Sequence, residues 1–273
     1  MVADSQRSPT TPIDSPLDRG LSQARSGSWI GRLTSPWTLA ISLLVVILLA
    51  GGPLQQLDLF LAKMWLYRIN PDLIWFAQNV LDRIASNAVC LPILAVVAIV
   101  LARRRRSWRP IILTLMTEAA FLLGVGGMKV FLARGVTYDR DPRFFQAGFF
   151  EKGSEGISFP SGHAAEAVLI YGAAVYLIAR YSSASPKLVR LLSWGVGAIT
   201  VNSVVVSFML GWHWASDLIG GVLAGGLFLR LLIDWDERAR ARLGAEDDCP
   251  NRAVPPREGT SSAVEVHPQR HLH

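Results

Sequence analysis

Two histidines in this chain stand where an imidazole could work on a substrate. His163 closes the segment Phe159-Pro160-Ser161-Gly162-His163, directly ahead of an apolar run. Pro-Ser-Gly before such a run marks a helix start, where unpaired backbone N–H groups and the positive end of the helix dipole attract anions. Gly162 lets a phosphate come close to the backbone, and Ser161 adds a hydroxyl donor. His163, on the first turn, is then placed to give a proton to a leaving oxygen. The segment fits equally well a serine that merely caps a helix beside an interfacial histidine.

The second histidine lies in Gly211-Trp212-His213-Trp214-Ala215-Ser216-Asp217. His213 and Asp217 are four apart, so on a helix they share a face. A carboxylate on one ring nitrogen fixes the tautomer and leaves the other nitrogen as a nucleophile or base. An aspartate one turn into an apolar run is costly without a partner, which favours the pairing. A structural bond bracing the start of the helix is the competing reading. Lys129 and Arg134 form a third polar cluster at the end of another apolar run. Trp212 and Trp214 read as interfacial anchors, Glu166 as a group orienting His163 from one turn below, and Glu118 as an acid satisfied inside the bundle.

These clusters need a scaffold, and composition says which kind. The chain has 273 residues, 51% hydrophobic and only 18% charged, with a mean hydropathy of +0.33. Soluble domains carry roughly 25% charged residues. A span needs about 20 mostly apolar residues, and six candidates occur: 37–52, 88–102, 111–132, 164–179, 191–210 and 218–233. The expected fold is therefore all-α, a six-span transmembrane bundle. Residues 54–87 mix Asp58, Lys63, Arg68, Asp72, Asp82 and Arg83 with Trp65, Tyr67 and Trp75, as expected of helices lying in the outer interface. Residues 1–35 and 236–273 are expected to be polar cytoplasmic tails, disordered or largely so, flanking a membrane domain over 36–235. No signal-peptide apolar segment is read in the first thirty residues.

The formal charge of +6 is mostly topology. With the N-terminus inside, the interior segments collect most of the Lys and Arg, led by Arg103–Arg106, as the positive-inside rule requires. A nucleic-acid patch lacks its groove-reading context, so no nucleic-acid partner is expected. Cys90 and Cys249 are not expected to pair, no zinc-type spacing occurs, and the tail residues His267, His271 and His273 read as solvated. In this topology all three polar clusters meet at the outer face.

Lys129, Pro160-Ser161-Gly162-His163 and His213 with Asp217 together resemble the type 2 phosphatidic acid phosphatase (PAP2) family, over about residues 36–235. That family carries Lys-x6-Arg-Pro, Pro-Ser-Gly-His and Ser-Arg-x5-His-x3-Asp. The resemblance implies an extracytoplasmic site that hydrolyses lipid phosphates or diphosphates with neither metal nor cofactor. His213 would become phospho-histidine with support from Asp217, and His163 would protonate the leaving group. Lys129, Ser161 and Gly162 would hold the phosphate. Two departures stand out: Val136-Thr137 occupies the Arg-Pro position, and Val206-Ser207 the Ser-Arg position. Arginines there would stabilise transition-state charge, worth orders of magnitude in rate. Arg134 is expected to join the phosphate-binding set, with Arg140 and Arg143 as replacements from the following loop. No Lys or Arg lies between Leu191 and Leu229, so the third-motif arginine has no local substitute.

The expectation is thus a multi-pass plasma-membrane phosphatase for a lipid or polyprenyl phosphate, with both termini cytoplasmic. Two other classes share these residues: a lipid headgroup phosphotransferase, and a catalytically degenerate lipid-binding or scaffold protein. Which lipid is used, and the oligomeric state, are not written in the sequence.

Overall fold

A computed structural model of the chain describes residues 34–146, 148, 150, 153 and 157–247. The expected tails over 1–33 and 248–273, with Cys249 and the three terminal histidines, lie outside these residues. All regular structure among the described residues is helical. The helices are α1 (Pro36–Ala50), α2 (Gln55–Leu61), α3 (Trp65–Ile69), α4 (Asn87–Arg105), α5 (Arg109–Ala119), α6 (Gly126–Leu132), α7 (Gly162–Tyr181), α8 (Pro186–Leu210) and α9 (Ala215–Asp247). The chain divides into two compact units after Asp236. Helix α9 continues to Asp247, so the first dozen residues of the expected polar tail are helical.

Five stretches, 71–105, 109–139, 162–181, 186–210 and 215–242, are long and apolar enough to cross a membrane. A sixth arises if α1 counts together with 55–69, from which it is bent by 79°. Large apolar side chains on the outward faces are bare, among them Leu48 (65%), Leu123 (78%) and Trp194 (74%). Such surface, present on four of the five stretches and missing from α7, is tolerable only where lipid replaces water. The chain is a multi-pass membrane protein.

Helix α7 is the central post. Its apolar stretch is 56% buried, against 17–39% in the other four. Ala164, Ala165, Ala167, Ala173 and Ala174 are all buried on it. Small side chains bring neighbouring backbones close, which is how helices pack where lipid removes the hydrophobic drive. Leu94, Ala98 and Leu101 of α4 pack on the far half of α7 through Ile170, Ala174 and Leu177. Around its near half lie Val125, Leu132, Phe159, Ala165 and Ala224. At the far end, Asp236 accepts hydrogen bonds from Tyr176 Oη (2.8 Å) and Tyr181 Oη (2.9 Å) and pairs with Arg109 (3.4 Å).

Two devices hold the near end of α7 in place. A Cβ at Gly221 would stand 2.5 Å from the Ser161 carbonyl oxygen, and one at Gly225 2.6 Å from that of Ala165. The start of α9 therefore lies directly against the backbone that opens α7. Gly211, at φ +72°, ends α8 in a left-handed turn that returns the chain to α9. Gly221→Ala is expected to cost about 1–3 kcal/mol, the usual penalty of overpacking, read as a lower unfolding temperature in detergent. Gly127→Ala is the control, since nothing lies within 4 Å of that position.

Candidate functional site

The Pro-Ser-Gly-His segment is stitched down on both sides before α7 begins. Ser158 donates its backbone N–H to the Arg134 carbonyl (2.8 Å) and its hydroxyl to the Gly135 carbonyl (2.9 Å). Ser161 donates its N–H to the Asp217 carbonyl (2.9 Å). Trp214 donates its indole N–H to the Gly135 carbonyl (2.8 Å), and Thr137 its hydroxyl to the Gly211 carbonyl. Trp214 is completely buried. It fills the space between the three clusters and is not the interfacial anchor that its sequence setting suggests.

These ties leave a cavity of about 490 Å³ at the N-terminal end of α7. Lys129, Gly162, His163 and His213 line it, together with Asn87, Glu166, Val136 and Trp212. Each of the three sequence clusters thus contributes to the lining, while the expected Ser161, Arg134 and Asp217 are buried behind it. A Cβ at Gly162 would meet only the Lys129 Cε at 3.8 Å, so the missing side chain opens cavity space beside the backbone. Ser161 caps α7 without a side-chain hydrogen bond of its own, and its hydroxyl oxygen is buried with no partner among the described residues. A buried hydroxyl left unpaired costs about 1–3 kcal/mol, which an anion seated at this helix start would recover.

Each histidine faces a carboxylate. His213 Nδ1 is 3.5 Å from Asp217 Oδ2, across the i, i+4 spacing read from the sequence. That distance is an ion-pair approach just beyond a good hydrogen bond, and Nδ1 has no other partner among the described residues. Its Nε2 is the nitrogen left for chemistry. Asp217 itself is locked: its Oδ2 accepts the Trp214 N–H (3.1 Å) and its Oδ1 accepts from Arg134 Nη1 (2.6 Å). His163 Nε2 lies 3.5 Å from Asp82 Oδ2. Asp82 follows the π turn Ala77–Leu81, ahead of α4, and is 4% exposed. The partner of His163 among the carboxylates is therefore Asp82 rather than Glu166; Asn87 Nδ2 reaches Glu118 at 3.2 Å.

Arg134 departs from its expected place on the phosphate. It is fully buried and gives its donors to the protein: Nε to the Pro142 carbonyl (2.8 Å), Nη1 to Ser216 Oγ (2.7 Å) and Asp217, and Nη2 to Asp58 Oδ2 (2.7 Å). Phe144 and Trp214 rings lie 5.1 and 5.6 Å from its guanidinium carbon. It joins α2 to the head of α9 and holds the carboxylate that faces His213. Neither loop arginine fills the gap. Arg143 forms a two-pronged pair with Asp141 on an exposed loop, and Arg140 is exposed. Hydrogen bonds from Arg143 hold the Asp141 carboxyl at about 2, well under its ordinary 3.8. A depressed carboxyl stays charged until pH falls through about 2, so Asp141 remains an anionic partner for Arg143 at any working pH. Among the described lining residues Lys129 is the one fixed cation. Both positions where the family has arginine do face the site, since Val136 lines the cavity and Ser207 touches Asp82.

Asp58 and Asp82 were not among the residues singled out from the sequence. Both come from the stretch read as interfacial helices. The signal that existed was an acid inside an otherwise apolar window, as in Leu57-Asp58-Leu59-Phe60; such a residue needs a partner.

The PAP2 superfamily model matches residues 37–241. Phosphatidylglycerophosphatase B of Bacillus subtilis (strain 168) is 23% identical over 160 residues, covering 59% of this chain and 74% of that protein. The crystal structure of the first transmembrane PAP2-type phosphatidylglycerolphosphate phosphatase from Bacillus subtilis superposes with a TM-score of 0.62 at 20% identity. That superposition covers 74% of this chain and 96% of the other, a likeness of fold.

Proposed function

This chain belongs to the PAP2 superfamily, and on that premise we propose that it hydrolyses a lipid phosphate monoester or diphosphate through a phospho-histidine intermediate. The observation that carries the reading is the meeting of His213, His163, Lys129 and Gly162 on one cavity wall. His213 Nε2 attacks phosphorus while Asp217, on the other ring nitrogen, stabilises the positive ring that forms. The bond to the leaving oxygen breaks as His163 gives that oxygen its proton. The α7 N-terminus, Ser161 Oγ and Lys129 hold the phosphoryl oxygens. Water then attacks phosphorus and gives a proton to His163 as the N–P bond breaks, which frees His213 Nε2 and releases phosphate. None of these steps calls on a metal ion.

The reading extends to the side of the membrane. Asn87 begins α4 at the cavity, and Arg103–Arg105 end it. Nineteen helical residues put about 28 Å between the two, close to the thickness of a hydrocarbon core. The basic cluster marks the cytoplasmic end, so the cavity opens on the extracytoplasmic side. The lipid class is supported by this depth in the bilayer and by the relative's name, phosphatidylglycerophosphatase B.

The test is phosphate release by purified protein from phosphatidic acid, phosphatidylglycerol phosphate and an isoprenyl diphosphate, in excess chelator. Release from at least one is expected. A second reading, a lipid-phosphate binder without turnover, draws on the lack of arginine among the described lining residues; it predicts binding and no release. Label moved from one lipid to another, with none in water, would instead identify a phosphotransferase.

A further inference from the structure

The third-motif position where the family carries arginine is here Ser207, and the surroundings of Ser207 are not those of a vacancy. Ser207 is fully buried on α8. Its hydroxyl lies 3.4 Å from Asp82 Oδ1, while Asp82 Oδ2 lies 3.5 Å from His163 Nε2. One carboxylate therefore spans from the exchanged position to the histidine at the head of α7. An arginine side chain at 207 would bring a guanidinium to that carboxylate. Arg–carboxylate pairs are bidentate and strong, so Asp82 would be drawn onto it and away from His163. With serine at 207, a single weak donor leaves Asp82 Oδ2 for the imidazole.

We propose that Asp82 is the positioning residue of His163, and that serine at 207 frees it for that task. The inference rests on the phosphatase reading above. With Nε2 turned to Asp82, Nδ1 is the nitrogen that meets the leaving oxygen. The phosphorus–oxygen bond breaks, the His213 nitrogen–phosphorus bond forms, and the proton on Nδ1 passes to the leaving oxygen. Asp82 fixes the ring and balances the charge of the protonated form. The site thus lacks an arginine on the transferred phosphoryl group and carries instead a supported acid on the leaving group. Two buried carboxylates then divide the work, Asp217 behind His213 and Asp82 behind His163. They differ in their own partners: Asp217 is clamped by Arg134, whereas among the described residues Asp82 meets Ser207 Oγ and the imidazole. The other charged groups acting on His163 are His213, from the turn before α9, and Lys129, from α6. Asp82 faces His213 and the exposed Arg83 as well.

Leaving-group dependence separates this role from a structural one. An alkoxide needs a proton as it departs, whereas p-nitrophenolate does not, so weakening the acid hurts only the first. Purified wild type, Asp82→Asn, Asp82→Glu and Ser207→Arg are assayed in detergent on a short-chain phosphatidic acid and on p-nitrophenyl phosphate. Asp82→Asn is expected to lose about 10²-fold on the alkyl ester and less than about tenfold on the aryl ester. Ser207→Arg is expected to reproduce that split by capturing Asp82, and Asp82→Glu to recover part of the alkyl activity. Unfolding temperatures within a few degrees of wild type establish that the variants are folded. Equal losses on both esters, or a Ser207→Arg variant faster on both, would overturn the proposal while leaving the phosphatase reading intact. Wild type that releases no phosphate from these esters, from phosphatidylglycerol phosphate or from an isoprenyl diphosphate would overturn the phosphatase reading, and the role of Asp82 with it.

Discussion

His213→Ala is expected to abolish phosphate release, by at least about 10⁴-fold, with little change in stability. The size follows from the role: without the nucleophile there is no covalent intermediate, and neither water nor Asp217 can take its place on the far side of the phosphorus. The small stability effect follows from the surroundings. His213 is partly exposed at the cavity wall, and its buried Nδ1 makes no hydrogen bond. Removing it therefore leaves no donor stranded, and the unfolding free energy should move by no more than about 1 kcal/mol. Its carboxylate partner stays held by Arg134 and the Trp214 N–H. Phosphate release at constant enzyme concentration, beside an unfolding curve, checks both halves. A loss of activity that tracked a loss of fold would count against the assignment.

Arg134→Met has the opposite profile: it damages the fold first and the chemistry through it. Asp58 and Asp217 are 2% and 0% exposed and share this one guanidinium. Taking away one partner of a buried ion pair costs about 3–5 kcal/mol, because the remaining charge has nowhere to go. Here two carboxylates are stranded, although Ser216 still donates to Asp58 through its backbone N–H (3.1 Å) and its hydroxyl. Expected results are a drop of several kcal/mol in unfolding free energy and loss of phosphate release in whatever remains folded. Adding Asp58→Asn to Arg134→Met removes one stranded charge, so it should regain part of the stability. It should regain none of the activity, since Asp217 stays unclamped. Had Arg134 gripped substrate phosphate, the single variant would have kept its stability and lost only turnover.

The sequence carries the scaffold openly because a bilayer demands composition. Long apolar runs and the Arg103–Arg106 block are local features, and each of the six stretches returns as helix. The His213–Asp217 pair is legible from its four-residue spacing, although His213 lies in the turn ahead of α9 and only Asp217 is on the helix. What could not be read were the partners joined across the fold. Asp58 meets Arg134 from 76 residues away, and Ser207 meets Asp82 from 125. No spacing rule links such positions, and an acid in an amphipathic stretch looks alike whether it faces headgroups or a buried guanidinium. Arg134 is hard to place on the same ground: its position beside the first motif is visible in the sequence, the two carboxylates it meets are not. Trp214, taken for an anchor at the headgroups, is enclosed because Gly135 accepts its indole N–H. The π turn at Ala77–Leu81, which delivers Asp82, has no distinguishing sequence pattern at all.

The central claim is that phosphorus passes through His213. Wild-type enzyme is mixed briefly with ³²P-labelled lipid phosphate and quenched in base, where a nitrogen–phosphorus bond survives, and the labelled peptide is then mapped. Label on His213, absent from His213→Ala and accumulating when His163 is replaced by asparagine and phenyl phosphate is the substrate, is the expected result. Phosphate release persisting in His213→Ala, or label carried by Ser161 instead, would contradict it.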